Sequence, residues 1–240
     1  MSNPALNEKV LTKIRDTSRL SGDVSRMTLE GTINRAGLLI LLTIAGGILG
    51  WSTQSTVLLI GSLILSLIMV FLIVFKPERA PSLSPVYAVS EGILLGSISA
   101  LYSRQYPGIV SNAMILTMSC LMIMLGLYKF KIIKVTEKFR SVLMAAMFAI
   151  MITYLINMVM GFFGTNIPMI HEGSTAGIFF SVVVVGVAAF SLLLDFDMIE
   201  QAYTQGSPKY MEWYGGFALL VTLVWLYLEI LQLLNKLNRK

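Results

Sequence analysis

Four acidic residues lie inside long apolar runs of this chain: Glu91, Asp195, Asp197 and Glu229. An ionised side chain in the hydrocarbon layer costs about 2.5–3.5 kcal/mol on insertion scales. Such a residue therefore marks a site and calls for a named partner. With Arg35 assigned to the preceding polar tail, the runs hold no lysine or arginine to neutralise these acids. The chemistry open to them is a pair of carboxylates sharing one proton, which titrates as a unit. That is the behaviour of a pH sensor or of a proton-gated cation site.

Helical spacing selects among the acids. Asp195 and Asp197 are two residues apart and point to nearly opposite faces of a helix. Asp195 shares its face with Ser191 and Ala188, whereas Asp197 shares one with Leu193, Phe190 and Glu200, close to the end of its run and to water. In the last run, Thr222, Glu229, Gln232 and Lys236 fall on one stripe. Asp195 is thus expected as the interior partner of Glu229, with Asp197 as second candidate. The alternative places both aspartates at headgroup level and leaves Glu229 to neighbouring hydroxyls. Calcium takes several oxygen ligands, and Asp195 with Glu229 could form a weak, transient site for it.

Glu91 is expected either to line a polar cavity as a third carboxylate or to make an interhelical hydrogen bond. Beside it Ala88, Gly92, Gly96 and Ala100 recur every four residues. A ridge of small residues lets a second helix pack closely. Asn112, Ser119 and Asn157 are expected to make interhelical hydrogen bonds. The single histidine, His171, sits beside Glu172 in a short loop and makes no metal site.

These residues need helices to hold them in a bilayer. Of 240 residues 56% are hydrophobic and 13% charged, against about 25% charged in soluble domains. The apolar residues form seven spans, at about 34–52, 56–75, 85–103, 109–128, 141–163, 174–199 and 214–235, each near the length a helix needs to cross a membrane. The fold class is all-α: an integral membrane bundle of seven helices over 34–237, behind a polar N-terminal tail over 1–33. Fourteen lysines and arginines fall on the side of the N-terminus and four on the other, which puts the N-terminus in the cytoplasm and the C-terminus outside. Three basic residues at the C-terminus pull the other way, and a six-span chain with one re-entrant segment would accommodate them. Register raises a second difficulty. Glu229 lies about 22 Å along the last span, so meeting Asp195 requires the sixth span to run past Glu200 or the seventh to start outside the membrane.

Other classes of function fit poorly. The late start of the first apolar run argues against a secretory signal peptide. The single cysteine, Cys120, lies within an apolar run, forms no intrachain disulfide and reads as a small core hydrophobe. No G-x-S-x-G or H-E-x-x-H motif is present, and Leu194-Asp195-Phe196-Asp197 is not the Gly-x-Gly-Asp pattern of intramembrane aspartyl proteases. No enzyme activity, cofactor or nucleic-acid partner is expected. Seven spans without matching halves do not suit an inverted-repeat transporter.

Three stretches together resemble the transmembrane Bax inhibitor motif family, in a bacterial-type branch. They are Ala88-Val-Ser-Glu91-Gly92-Ile-Leu-Leu-Gly96, Phe190-Ser-Leu-Leu-Leu-Asp195-Phe-Asp197 and Leu226-Tyr-Leu-Glu229-Ile-Leu-Gln-Leu-Leu. The resemblance covers about residues 34–237. It implies a seven-helix fold with a central last helix wrapped by three helical hairpins. It also implies a pH-sensitive calcium leak governed by a hydrogen-bonded carboxylate pair between spans six and seven. The family's span-six aspartate falls on Asp195, or on Asp197 if the alignment is anchored on Phe-Ser, and its span-seven aspartate falls on Glu229. The bacterial branch implies the inner membrane; an endoplasmic reticulum membrane is the alternative. Kinship also implies a second role, in which the protein regulates a membrane protease or a cell-death partner. Beyond lipid and a transported cation, oligomeric state and partners are left open.

Overall fold

The computed structural model describes residues 26–165, 167 and 173–239. Seven α-helices make up the fold: α1 (Leu29–Thr53), α2 (Thr56–Phe75), α3 (Ala80–Gln105), α4 (Ile109–Lys129), α5 (Glu137–Phe162), α6 (Thr175–Thr204) and α7 (Met211–Asn238). A 3₁₀ turn over Pro77–Arg79 leads into α3. All seven helices of the described residues are long and apolar enough to cross a bilayer, and the chain is a multi-pass membrane protein. The tail to residue 25, His171 and Glu172 lie outside the described residues. The last residues assigned to the tail, from Leu29 on, already belong to α1.

Local chemistry sets the ends. Thr28, Thr136 and Ser174 are extended residues whose hydroxyls accept from the third following backbone N–H, at 3.0, 3.2 and 3.2 Å, the usual solution for the orphan donors of a first turn. Gly108 (φ 85°) opens α4 and Gly164 (φ 77°) follows α5, both in the left-handed region that side chains disfavour.

α7 packs against α1, α3, α4 and α6 and forms the centre of the bundle. On one side Leu192, Leu193, Leu226 and Leu231 are sealed among α4, α6 and α7. On the other, Leu39, Ala88, Phe217 and Leu220 join α1, α3 and α7. α1 and α2 both lie against α3, and α5 packs mainly on α6. Large apolar side chains such as Val57, Phe162 and Phe179 face outward, as expected of surfaces solvated by lipid.

The small-residue ridge of α3 is buried, with Ala88 and Ala100 inside the core. Its partner is a second small stripe on α1, which the sequence pattern alone did not single out. A Cβ on Gly92 would run into the Thr43 carbonyl and one on Gly96 into the Gly47 carbonyl. The reverse also holds, since Gly46 and Gly50 press on the carbonyls of Val89 and Ile93. Backbone thus meets backbone along both helices, and packing of this kind substitutes for the missing hydrophobic drive inside a membrane.

Candidate functional site

The polar residues of α7 form a buried file. Thr222 is 9% exposed, Glu229 4% and Lys236 1%. Each step of seven residues is two turns, about 10.5 Å along the axis. Three of the four residues of the expected stripe therefore face the interior of the bundle, and the fourth, Gln232, is half-buried.

Glu229 is held by two donors. Tyr154 Oη of α5 donates to Oε1 at 2.8 Å and lies 3.0 Å from Oε2. Trp225 Nε1, one turn earlier on α7, donates to Oε1 at 3.1 Å. Charge-assisted hydrogen bonds of this type are stronger than neutral ones, and together they give a buried carboxylate the partners it requires. Of the two, Trp225 was legible as the i−4 neighbour of Glu229. Tyr154 is the sole tyrosine of the fifth span, but nothing in the sequence aims it at α7.

Asp195 sits elsewhere in the file. Its carboxyl group interacts with the Thr222 side chain, and its Oδ2 is sealed from solvent without a hydrogen-bond partner. No hydrogen bond joins Asp195 to Glu229 among the described residues. α6 does extend past Glu200, to Thr204, as the pairing required. But α7 starts at Met211, and the resulting antiparallel register sets Asp195 beside Thr222, two turns short of Glu229. The two acids thus lie at different levels of α7 rather than in direct contact.

Asp197 points another way. It forms an ion pair with Arg140 Nη2 of α5 at 2.6 Å and accepts from Gln201 Nε2 at 2.7 Å. Glu200, one turn on, is hydrogen-bonded to Tyr128 of α4. These contacts tie α4, α5 and α6 together at one end of the bundle.

The expectation that the spans hold no cation is corrected by helix length, which places Arg35 within α1, Arg104 near the end of α3 and Lys129 at the end of α4. α5 begins at Glu137 and carries Arg140 inside it. α7 continues to Asn238 and carries Lys236 inside it, where Nζ donates to Ser181 Oγ at 2.7 Å and to the Gly177 carbonyl at 3.2 Å. Hydropathy had ended both spans at these residues because a charge lowers the local average, although the helical backbone runs on.

Glu91 is 7% exposed. Its carboxyl group interacts with Ser66 of α2, whose hydroxyl also donates to Ser90 Oγ at 3.2 Å. It therefore faces the α2–α3 contact. Of the expected interhelical hydrogen bonders, Asn112 and Ser119 lie on the exposed face of α4. Asn157 Oδ1 accepts from the Ile167 backbone N–H at 2.9 Å, beyond the end of α5.

A further buried acid escaped the sequence pattern because it lay in a loop between assigned spans. Glu212, 2% exposed, accepts from the Thr28 N–H at 3.0 Å and from Thr28 Oγ1 at 2.9 Å. It anchors the first turn of α1 to the first turn of α7. Two turns on from Thr28 and one residue on from Glu212, Arg35 stacks over Trp213 at 4.6 Å from the ring centroid, a favourable cation–π geometry.

Among the described residues no three His, Cys, Asp or Glu side chains gather into a metal cage. What the file offers instead is a spaced series of oxygen atoms from Asp195, Thr222 and Glu229.

A family model described as Bax inhibitor 1 like matches residues 3–239. No curated protein and no solved structure matches.

Proposed function

The chain belongs to the Bax inhibitor 1 like family, and from that premise we propose that it is a passive cation leak, for calcium in the first place, running beside α7. The observation that carries this reading is the placing of two acids about two turns apart beside that helix: Glu229 is buried, and the half-buried Asp195 of α6 keeps Oδ2 sealed and unpartnered. An unpaired carboxylate oxygen within a bundle has a large desolvation cost, which a passing cation relieves. Weak binding at several places, rather than strong binding at one, is what conduction needs.

The pH response follows from charge. Protonated acids offer no net attraction to a cation, while ionised acids do. Flux therefore rises with pH as Asp195 and Glu229 lose their protons. In this reading the two acids act in series along the path, not as one hydrogen-bonded pair. Glu91 supports a polar patch at the α2–α3 contact. No catalysis and no bound cofactor are part of the role, and the site is the bacterial inner membrane with the N-terminus in the cytoplasm.

The test is reconstitution of the purified chain in vesicles containing a calcium-sensitive dye, beside Asp195→Asn and Glu229→Gln. Wild type should pass calcium faster at pH 8 than at about pH 6, and both variants should lose that dependence. Equal, pH-insensitive flux in all three would remove the reading. Absence of flux unless a second membrane protein is added would favour the other role, regulation of a protease or cell-death partner.

A further inference from the structure

The polar stripe of α7 does not stop at Glu229. Two turns further on stands Lys236, close to the end of the helix. A lysine so placed normally runs its stem over apolar neighbours and leaves the ammonium in water. Here the side chain is 1% exposed. Its Nζ turns into the first two turns of α6, onto Ser181 Oγ at 2.7 Å and the Gly177 carbonyl at 3.2 Å. Glu229 stands two turns back on the same helix, and the two are within electrostatic range of one another.

We propose that the Lys236 ammonium is a tethered cation that occupies the Glu229 end of the polar file and holds the flux down. The inference rests on the cation-leak reading above. Its physical basis is twofold. A fixed positive charge inside a low-dielectric path repels a mobile cation, and a divalent one twice as strongly. In addition, the ammonium already occupies a hydroxyl and a carbonyl oxygen, the ligand types a calcium ion would use there. The same contacts join the start of α6 to the end of α7, so the charge is held in place by the bundle itself.

Charge and stapling are separable by substitution. Lys236→Gln keeps hydrogen-bonding capacity toward Ser181 and Gly177 but removes the charge. Lys236→Arg keeps the charge. In the vesicle assay with the full chain, Lys236→Gln should pass calcium about tenfold faster than wild type, and Lys236→Arg should stay close to wild type. Butylammonium added to Lys236→Ala should restore the low flux while leaving wild type unaffected. If Lys236→Gln matches a conducting wild type, or Lys236→Arg rises with it, the lysine is only a staple; the inference is overturned and the leak stands. If neither wild type nor Lys236→Gln conducts, both readings fall together. Should Lys236→Gln be recovered only as aggregate, Ser181→Ala removes one of the two anchors and leaves the lysine in place. Raised flux in that variant supports the tethered cation, and unchanged flux overturns it.

Discussion

Tyr154 Oη lies 2.8 and 3.0 Å from the two carboxylate oxygens of Glu229, and so connects α5 to the central helix across a boundary where backbone contact is sparse. α5 otherwise leans mainly on α6. A hydrogen bond to a charged group contributes about 1.5–3 kcal/mol, and its loss leaves the carboxylate the hydrogen bond from Trp225. Tyr154→Phe should therefore lower the thermal midpoint of the purified protein by several degrees. Glu229→Gln should do likewise, and the double variant should be less affected than the sum, because the two substitutions remove the same contact. Additive losses in a thermal-shift cycle would show that the contact carries no stability.

Asp195 and Asp197 separate cleanly by their surroundings. Asp197 is engaged by Arg140 and Gln201, whereas Asp195 has an unpartnered oxygen in the file. Asp195→Asn should abolish the rise of calcium flux with pH. Asp197→Asn should leave that rise intact and cost about 1 kcal/mol or less of stability, since the ion pair is partly exposed and screened. That cost should shrink further in high salt. If Asp197→Asn flattens the pH profile and Asp195→Asn does not, the acids have been assigned in the wrong order.

Span number and fold class were legible because they depend on hydropathy summed over some twenty residues, where a single charge changes little. Helix ends were less so, and the errors cluster at charged residues. Arg140 and Lys236 were placed outside their spans because hydropathy drops there, yet hydrogen bonding within a helix does not depend on side-chain polarity. The stripe Thr222–Glu229–Lys236 was readable from periodicity, which is local. Its pairing with Asp195 was not, because the register of α6 on α7 is set by the length of the Gln205–Tyr210 connection and by packing. Tyr154 belongs to a helix far away in sequence, and no local pattern reports which face of α5 meets α7.

The α1–α3 contact makes a sharp contrast between glycines. A side chain on Gly92 or Gly96 would meet a carbonyl of α1, while one on Gly61 or Gly126 would meet nothing within 4 Å. Overpacking typically costs about 1–3 kcal/mol, and more where backbone itself must move. Gly96→Val should reduce the monodisperse fraction in size-exclusion chromatography sharply. Gly61→Ala and Gly126→Ala should elute as wild type. Equal recovery of all three would mean that α1 and α3 do not approach this closely in the folded protein.

The start of α1 is held by a contact that hydropathy gives no reason to expect. Thr28 caps the helix by accepting from Gly31 N–H at 3.0 Å, and its own N–H and hydroxyl both donate to Glu212 of α7. Gly31 leaves room for that carboxylate, since a Cβ there would overlap it. The preceding residue is fixed as well, with the Met27 N–H donating to the Ser207 carbonyl at 2.8 Å. Thr28→Ala removes the cap and one of the two donors to Glu212, and should cost about 1–2 kcal/mol. Glu212→Ala removes two part-buried hydrogen bonds from Thr28 to a carboxylate and should cost about 1–3 kcal/mol. Because both contacts act on the first turn of α1, the effect should be local before it is global. Hydrogen–deuterium exchange should accelerate over residues 27–33 in either variant, with little change in α4 or α5. Uniform acceleration across the bundle would instead mean that this corner is needed for the whole fold, and unchanged exchange would mean that the Thr28–Glu212 contact does not hold α1 in place.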